Sequence, residues 1–163
     1  MARLADFPAG DVLFIDANCL LYHFLSTHPS CTFTVHRAEL GLIRLCTSLT
    51  VLGEVRHKLM ILEASRAFGL HPSRVRAYLR RHPGQIRLLR HCRQAIESLP
   101  ALRVEILTPT MDIFLASQRL GEEYGLLTND ALILATLRAH RLRHLATADR
   151  DFRRVQDLTL WIP

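Results

Sequence analysis

Four consecutive apolar residues, Val12–Ile15, end abruptly at Asp16. A run this short without polar alternation is consistent with a strand buried on both faces, and such strands belong to parallel sheets covered by helices on either side. Two further short segments read as strands. Val104–Leu107 precedes a Thr-Pro-Thr cap, and His144–Thr147 precedes Asp149. A fourth, Leu158–Ile162, closes the chain as an expected edge strand. Between them lie segments of helical character, so strand and helix alternate. That order predicts an α/β fold with a central parallel sheet.

The helices can be bounded from their caps. Asn18 is the expected N-cap of a helix reaching about Leu25. Pro29–Phe33 reads as a connection and Val35–Leu40 as a short helix, while Gly41–Thr47 fits helix or strand equally. A helix from Ser48 or Thr50 runs to about Phe68, with Gly69 as its stop. His71-Pro72-Ser73 opens the next, to about Arg81. His82-Pro83-Gly84 breaks it, and another spans about Gln85–Leu99. A helix capped around Thr110 ends at Gly125, and Thr128 or Asn129 caps the last, Asp130–Ala139. Met1–Gly10 reads as a loosely ordered polar lead. With 163 residues and neither linker nor repeat, residues 1–163 are expected to form one domain.

Charge is distributed unevenly. Between Ala64 and Ile96 there is no acidic residue, while Arg66, Arg74, Arg76, Arg80, Arg81, Arg87, Arg90 and Arg93 all fall there. The net charge is +6, so the rest of the chain is slightly acidic. An arginine-rich helical hairpin over about 70–99 is either a solvated pair of helices or a surface for a polyanion. Tyr78 is its one aromatic, so contact there is expected with phosphate and not with stacked bases.

The acids fall at element ends. Asp16 and Asp149 follow strands, Asp130 opens a helix, and Glu54 lies near a helix start. Asp151 sits two residues beyond Asp149. In a parallel sheet, such ends can converge on one crevice. Clustered carboxylates raise one another's pKa, and hard oxygen donors suit Mg²⁺ or Mn²⁺. Each acid also has an ordinary use: Glu54 and Asp130 suit helix N-terminal turns, Asp149 can cap, and Asp151 can be solvated. Asp16, at the end of an apolar strand, is the hardest to account for in that way. Phosphate-loop glycine motifs and the G-x-S-x-G elbow are missing from the sequence, so nucleotide-triphosphate and serine-hydrolase chemistry lack their parts. Cys19, Cys31, Cys46 and Cys92 show no zinc spacing and are expected to be free thiols. No apolar run reaches the roughly 20 residues of a membrane span, and no signal-peptide pattern leads the chain. A cytoplasmic location is expected.

Four stretches together carry a resemblance: Phe14-Ile15-Asp16-Ala17-Asn18, Val51-Leu52-Gly53-Glu54-Val55, Asn129 through Thr136 (NDALILAT), and Ala146 through Phe152 (ATADRDF). In this order, over nearly the whole chain, the sequence resembles the PIN-domain nucleases, and most of all the VapC-type toxins of type II toxin–antitoxin pairs. The last two stretches are the specific ones. The resemblance implies a three-layer α/β/α fold and Mg²⁺- or Mn²⁺-dependent endonucleolytic cleavage of RNA. It implies a catalytic set of Asp16, Glu54, Asp130 and Asp149. Asp16 and Asp130 would ligate metal directly, with Asp149 sharing the metal or holding a water ligand. Asn18, Ser48 and Thr147 would support these groups, and Asp151 is a possible fifth acid. Metal-activated water would attack phosphorus in line, leaving 5′-phosphate and 3′-hydroxyl ends. A cognate antitoxin protein and a homodimer are the implied partners. Arg74, Arg76, Arg80, Arg81, Arg87 and Arg90 would meet RNA or that antitoxin. An RNA-processing nuclease without an antitoxin, or a non-catalytic RNA-binding scaffold, are the alternatives.

Overall fold

The computed structural model describes residues 2–163. Six strands form one all-parallel sheet: β1 (Ala2–Arg3), β2 (Val12–Ile15), β3 (Arg44–Ser48), β4 (Val104–Leu107), β5 (His144–Ala146) and β6 (Thr159–Ile162). Their order is β1-β6-β5-β2-β3-β4. The helices are α1 (Ala17–Phe24), α2 (Pro29–Glu39), α3 (Leu49–Phe68), α4 (Pro72–Arg81), α5 (His91–Glu97), α6 (Met111–Tyr124) and α7 (Thr128–Ala139). The chain builds outward from β2 through β3 to β4, then returns to the other side of β2 with β5. This reversal places a crevice beyond the carboxyl ends of β2 and β5. Leu13, Phe14 and Ile15 are fully buried, as a strand covered on both faces requires.

The ambiguous segment Gly41–Thr47 resolves as strand β3, because Leu45 and Cys46 pair beside Leu13 and Phe14. α3 is capped as its sequence predicts: the Ser48 hydroxyl accepts from the Val51 amide, and Gly69 ends the helix at φ 63°. Gly125 ends α6 in the same left-handed conformation, which costs a residue without Cβ little.

α7 explains the long apolar stretch after Asp130. Ile133 and Leu137 join the main core against Leu145. Ala131, Leu134 and Ala135 face a second cluster with Leu120 and Val155. A helix buried on both sides cannot shift easily, so the position of Asp130 is set by packing on two fronts.

Several expectations are corrected. Residues 2–10 are not a loose lead. β1 pairs with β6, Leu4 and Phe7 are buried, and the Phe7 ring packs edge-on against Trp161 at 5.0 Å. β6 is therefore an interior strand and not the edge. Pro29–Phe33 is the first part of α2, with Pro29 at the position where a missing amide costs nothing. Asn18 does not cap α1; Asp16 does, at φ −81° and ψ 165°. Neither Thr128 nor Asn129 caps α7, which begins at Thr128 with no side-chain cap. The expected helix Gln85–Leu99 is instead a 3₁₀ turn, Pro83–Leu88, followed by the short α5.

The two arms of this basic region lie against α3. α5 is held there by a cap from a distant residue. Glu63 of α3 accepts from the His91 amide at 3.1 Å and the Cys92 amide at 2.9 Å.

Candidate metal centre at the carboxyl edge of the sheet

Asp16 leaves β2 at its carboxyl end and immediately caps α1. Its Oδ1 accepts from the Ala17 amide at 2.6 Å, and its Oδ2 accepts from the Thr147 hydroxyl at 2.8 Å. Thr147 follows β5, the strand paired beside β2. Its hydroxyl also accepts from the Asp149 amide at 3.0 Å, so one buried oxygen links Asp16 to the Asp149 loop. Asp149 in turn accepts from the Asp151 amide at 2.8 Å, curling the chain into the 3₁₀ turn Asp151–Arg154. The motif ATADRDF thus owes its shape to two short side chains, each folding the backbone two residues on.

Asp130 reaches the same place from the third position of α7. Ligand oxygens of Asp130, Asp149 and Asp151 lie within 4.8 Å of one another. Asp16 is 6% exposed, and burial raises its carboxyl above the ordinary value against the pull of its two hydrogen bonds. Asp130 is pushed up to about 6, by burial first and then by Asp149, Asp16, Asp151 and Glu54. Four neighbouring carboxylates therefore bear on Asp130, and two of them on Asp16. A divalent cation with a preference for oxygen relieves that repulsion, and the half-buried oxygens of the trio leave room for retained waters. The donor set fits a divalent cation that prefers oxygen.

The predicted residues fall into three groups. Asp130 and Asp149 sit together as expected, joined by Asp151, which sequence reasoning gave the least defined role. Asp151 also pairs with Arg154 at 2.9 Å. Asp16 and Glu54 border this trio and are coupled to it through charge. Thr147 supports Asp16 and Asp149 directly. Ser48 serves as the α3 cap and bonds Thr50 at 2.8 Å, and Asn18 accepts from Lys58 at 3.5 Å. Arg74, Arg76, Arg80, Arg81, Arg87 and Arg90 are all exposed. Of these, Arg76 makes a side-chain contact, 3.4 Å to His57 Nε2.

Three polar neighbours escaped the sequence reading. Lys58 pairs with Glu54 at 2.6 Å, Asn129 donates to Glu54 at 3.4 Å, and the buried Thr47 donates to the Ile15 carbonyl at 2.9 Å, next to Asp16. Lys58 had a signal, since it lies four residues after Glu54 on one helix face. Thr47 had none, because its partner is on another strand.

The PIN domain family profile matches residues 13–158. Over 52 residues the chain is 40% identical to ribonuclease VapC6 of Methanocaldococcus jannaschii. That stretch is 32% of this chain and 34% of the relative, so the match spans about a third of the curated protein. Among solved structures, the fold is similar to a chain of a toxin–antitoxin complex from Klebsiella pneumoniae, with TM-score 0.58 and 21% identity over 90% of this chain and 95% of that one. It is also similar to a chain of VapBC2 from Rickettsia felis bound to a DNA fragment from their promoter, with TM-score 0.62 and 15% identity over 93% and 98%. At these identities the likeness is one of fold.

Proposed function

The chain belongs to the PIN domain family, and from that premise we propose that it is a Mg²⁺- or Mn²⁺-dependent endoribonuclease, the toxin of a type II toxin–antitoxin pair. One observation carries the reading: Asp130, Asp149 and Asp151, from two separate segments, bring ligand oxygens within 4.8 Å of one another beside the buried Asp16. Asp130 and Asp149 would hold the cation, with Asp151 or Asp16 completing the donors. A cation bound there supplies Lewis-acid polarisation of a phosphodiester and lowers the pKa of a water.

The chain's own groups do the rest. Thr147 keeps Asp16 oriented and the Asp149 loop folded, so the donors are in place before substrate arrives. Glu54, held by Lys58 and Asn129 at the rim, can orient water or accept a proton. Burial of Asp16 keeps that end of the site dry, which strengthens electrostatic contacts made there.

Likeness to a ribonuclease and to chains from toxin–antitoxin complexes supports RNA as the substrate and an antitoxin protein as partner. We further take the chain to act as a single domain, as a homodimer, in the cytoplasm. Among the described residues no helix is long and apolar enough to cross a membrane.

The test is cleavage of single-stranded RNA with Mn²⁺ or with EDTA. Cleavage is expected only with metal and is expected to disappear in Asp16→Asn and Asp130→Asn while both variants stay folded. Full activity in both would overturn the site assignment.

A further inference from the structure

A second polar assembly begins one helical turn beyond Glu54. Lys58 Nζ lies 2.6 Å from Glu54 Oε1 and 3.5 Å from Asn18 Oδ1, so it touches both helices that border the acids. Past Lys58, a groove of about 520 Å³ runs between α1, α3 and the start of α4. Leu21, His57, Lys58, Ile61, Ser73 and Arg76 line it. Asn18 and Leu21 share a face of α1, and Glu54 and Lys58 share a face of α3. Lys58 thus belongs both to the groove and to the border of the acidic site, through its contacts with Glu54 and Asn18. Its floor is apolar and its rim cationic. No acidic residue lines it among those described.

We propose that Lys58 and Arg76, the latter held by His57, form a phosphate-binding track that holds a single RNA strand on one side of the bond presented to the acids. The inference rests on the nuclease reading above. Of the exposed arginines named from sequence, it singles out Arg76, and it adds two residues from α3.

Charge and chemistry select this occupant. Arg76 Nη2 donates to His57 Nε2 at 3.4 Å, which fixes the guanidinium over the groove, where a phosphate can take its remaining N–H groups. The i,i+4 pair of Lys58 with Glu54 is partly open to solvent, where such pairs are weak, so Lys58 can share its charge between Glu54 and a phosphate at small loss. Lysine suits that move, as a flexible point charge on a long stem. The groove lining has no Phe, Tyr or Trp, and its imidazole is taken up by Arg76, so it grips a backbone and not stacked bases, and binding there is tolerant of sequence. An acidic peptide offers similar charge. It would, however, lead carboxylates toward five other carboxylates, whereas a divalent cation held by that cluster would attract a phosphate.

The experiment measures binding of a short fluorescent single-stranded RNA by anisotropy across a salt series. Every protein carries Asp130→Asn, so the strand is not cut. Lys58→Gln and Arg76→Gln are each expected to weaken binding of different sequences alike and to lower the log–log salt slope by about 0.7 per lost contact. Lys58→Arg is expected to restore the slope, and Arg119→Gln, on the exposed face of α6, to leave it unchanged. Unchanged affinity and slope in both Gln variants would overturn the track, as would an equal loss in Arg119→Gln. So would a failure of the reference protein to bind RNA, or a loss confined to polyglutamate binding, which would assign the groove to an acidic protein segment. Metal-dependent cleavage by the unmodified chain is scored separately, so a failed track and a failed nuclease reading give different results.

Discussion

Asp130→Asn should change the sign of its effect on stability when metal is added. In the metal-free protein the Asp130 carboxyl titrates near about 6, against an ordinary value of 3.8. Folding raises this pKa, so ionising the group opposes the folded state. The penalty is absent below the ordinary value, grows as pH rises, and is complete above about 6. Two pK units set a ceiling of about 3 kcal/mol. The group is half exposed, and solvent screening cuts that to about 1 to 1.5 kcal/mol. Loss of an N-terminal helix charge takes back about 0.5 kcal/mol.

In EDTA at pH 8, Asp130→Asn is therefore expected to be more stable than wild type by about 0.5–1 kcal/mol, roughly 1–4 °C in Tm for a chain of this size. Mn²⁺ at 100 times its Kd adds about 2.7 kcal/mol to wild type and little to the variant, so the order reverses. At pH 5 both differences shrink, because Asp130 is then mostly protonated in the wild-type protein and metal must compete with that proton. Thermal melts in four conditions, with and without metal at each pH, test this. An Asp130→Asn protein less stable than wild type in EDTA at pH 8, or one that gains equally from Mn²⁺, would refute the claim of a repelling cluster relieved by a cation.

Two further outcomes test the supports of the site. Thr147→Val removes the hydroxyl shared by Asp16 and the Asp149 amide and leaves the buried Asp16 Oδ2 and the half-buried Asp149 amide without it. It is expected to cost about 1–3 kcal/mol in urea unfolding and to weaken Mn²⁺ binding, whereas Thr147→Ser retains both; equal behaviour of Val and Ser would remove the hydroxyl from the argument. Glu63→Ala removes the cap of α5 and is expected to cost about 1 kcal/mol at neutral pH. Although burial opposes it, the Cys92 and His91 amides hold the Glu63 carboxyl below its ordinary value. That contribution is present above the ordinary value and lost as pH falls through the folded one, so the gap between Glu63→Ala and wild type should close in acid; a gap that widened there would contradict the cap.

The parts of the site legible in the sequence are those built from local signals. Val12–Ile15 declared a buried strand by its unbroken apolar character, and the alternation with helices declared a parallel sheet. Ser48 with Gly69, and Thr110 with Gly125, marked the ends of two helices through side-chain and backbone chemistry within a few residues. The motifs around Asp130 and Asp149 marked two acids that the fold does bring together. The N-terminal lead was misread for a physical reason. Two apolar side chains, Leu4 and Phe7, are too few for a period, and their value appears only against Trp161 and His144 at the far end of the chain. The missed helix start at Pro29 and the broken helix after Pro83 show the same limit, since proline serves both to begin a helix and to interrupt one.

By itself, then, the sequence determined which residues could form strands, which carboxylates stood at element ends, and the family those stretches resemble. Tertiary structure alone decided which acids meet. The reversal of strand order at β2 brings Asp16 beside Thr147, and α7, packed on two sides, carries Asp130 to Asp149 and Asp151. It also decided that Lys58 answers Glu54 and Asn18, and that the basic region lies along α3. These contacts join residues far apart in sequence, and the forces that make them are burial and charge at close range. No local pattern encodes a distance in space; only the packed sheet and its covering helices set it.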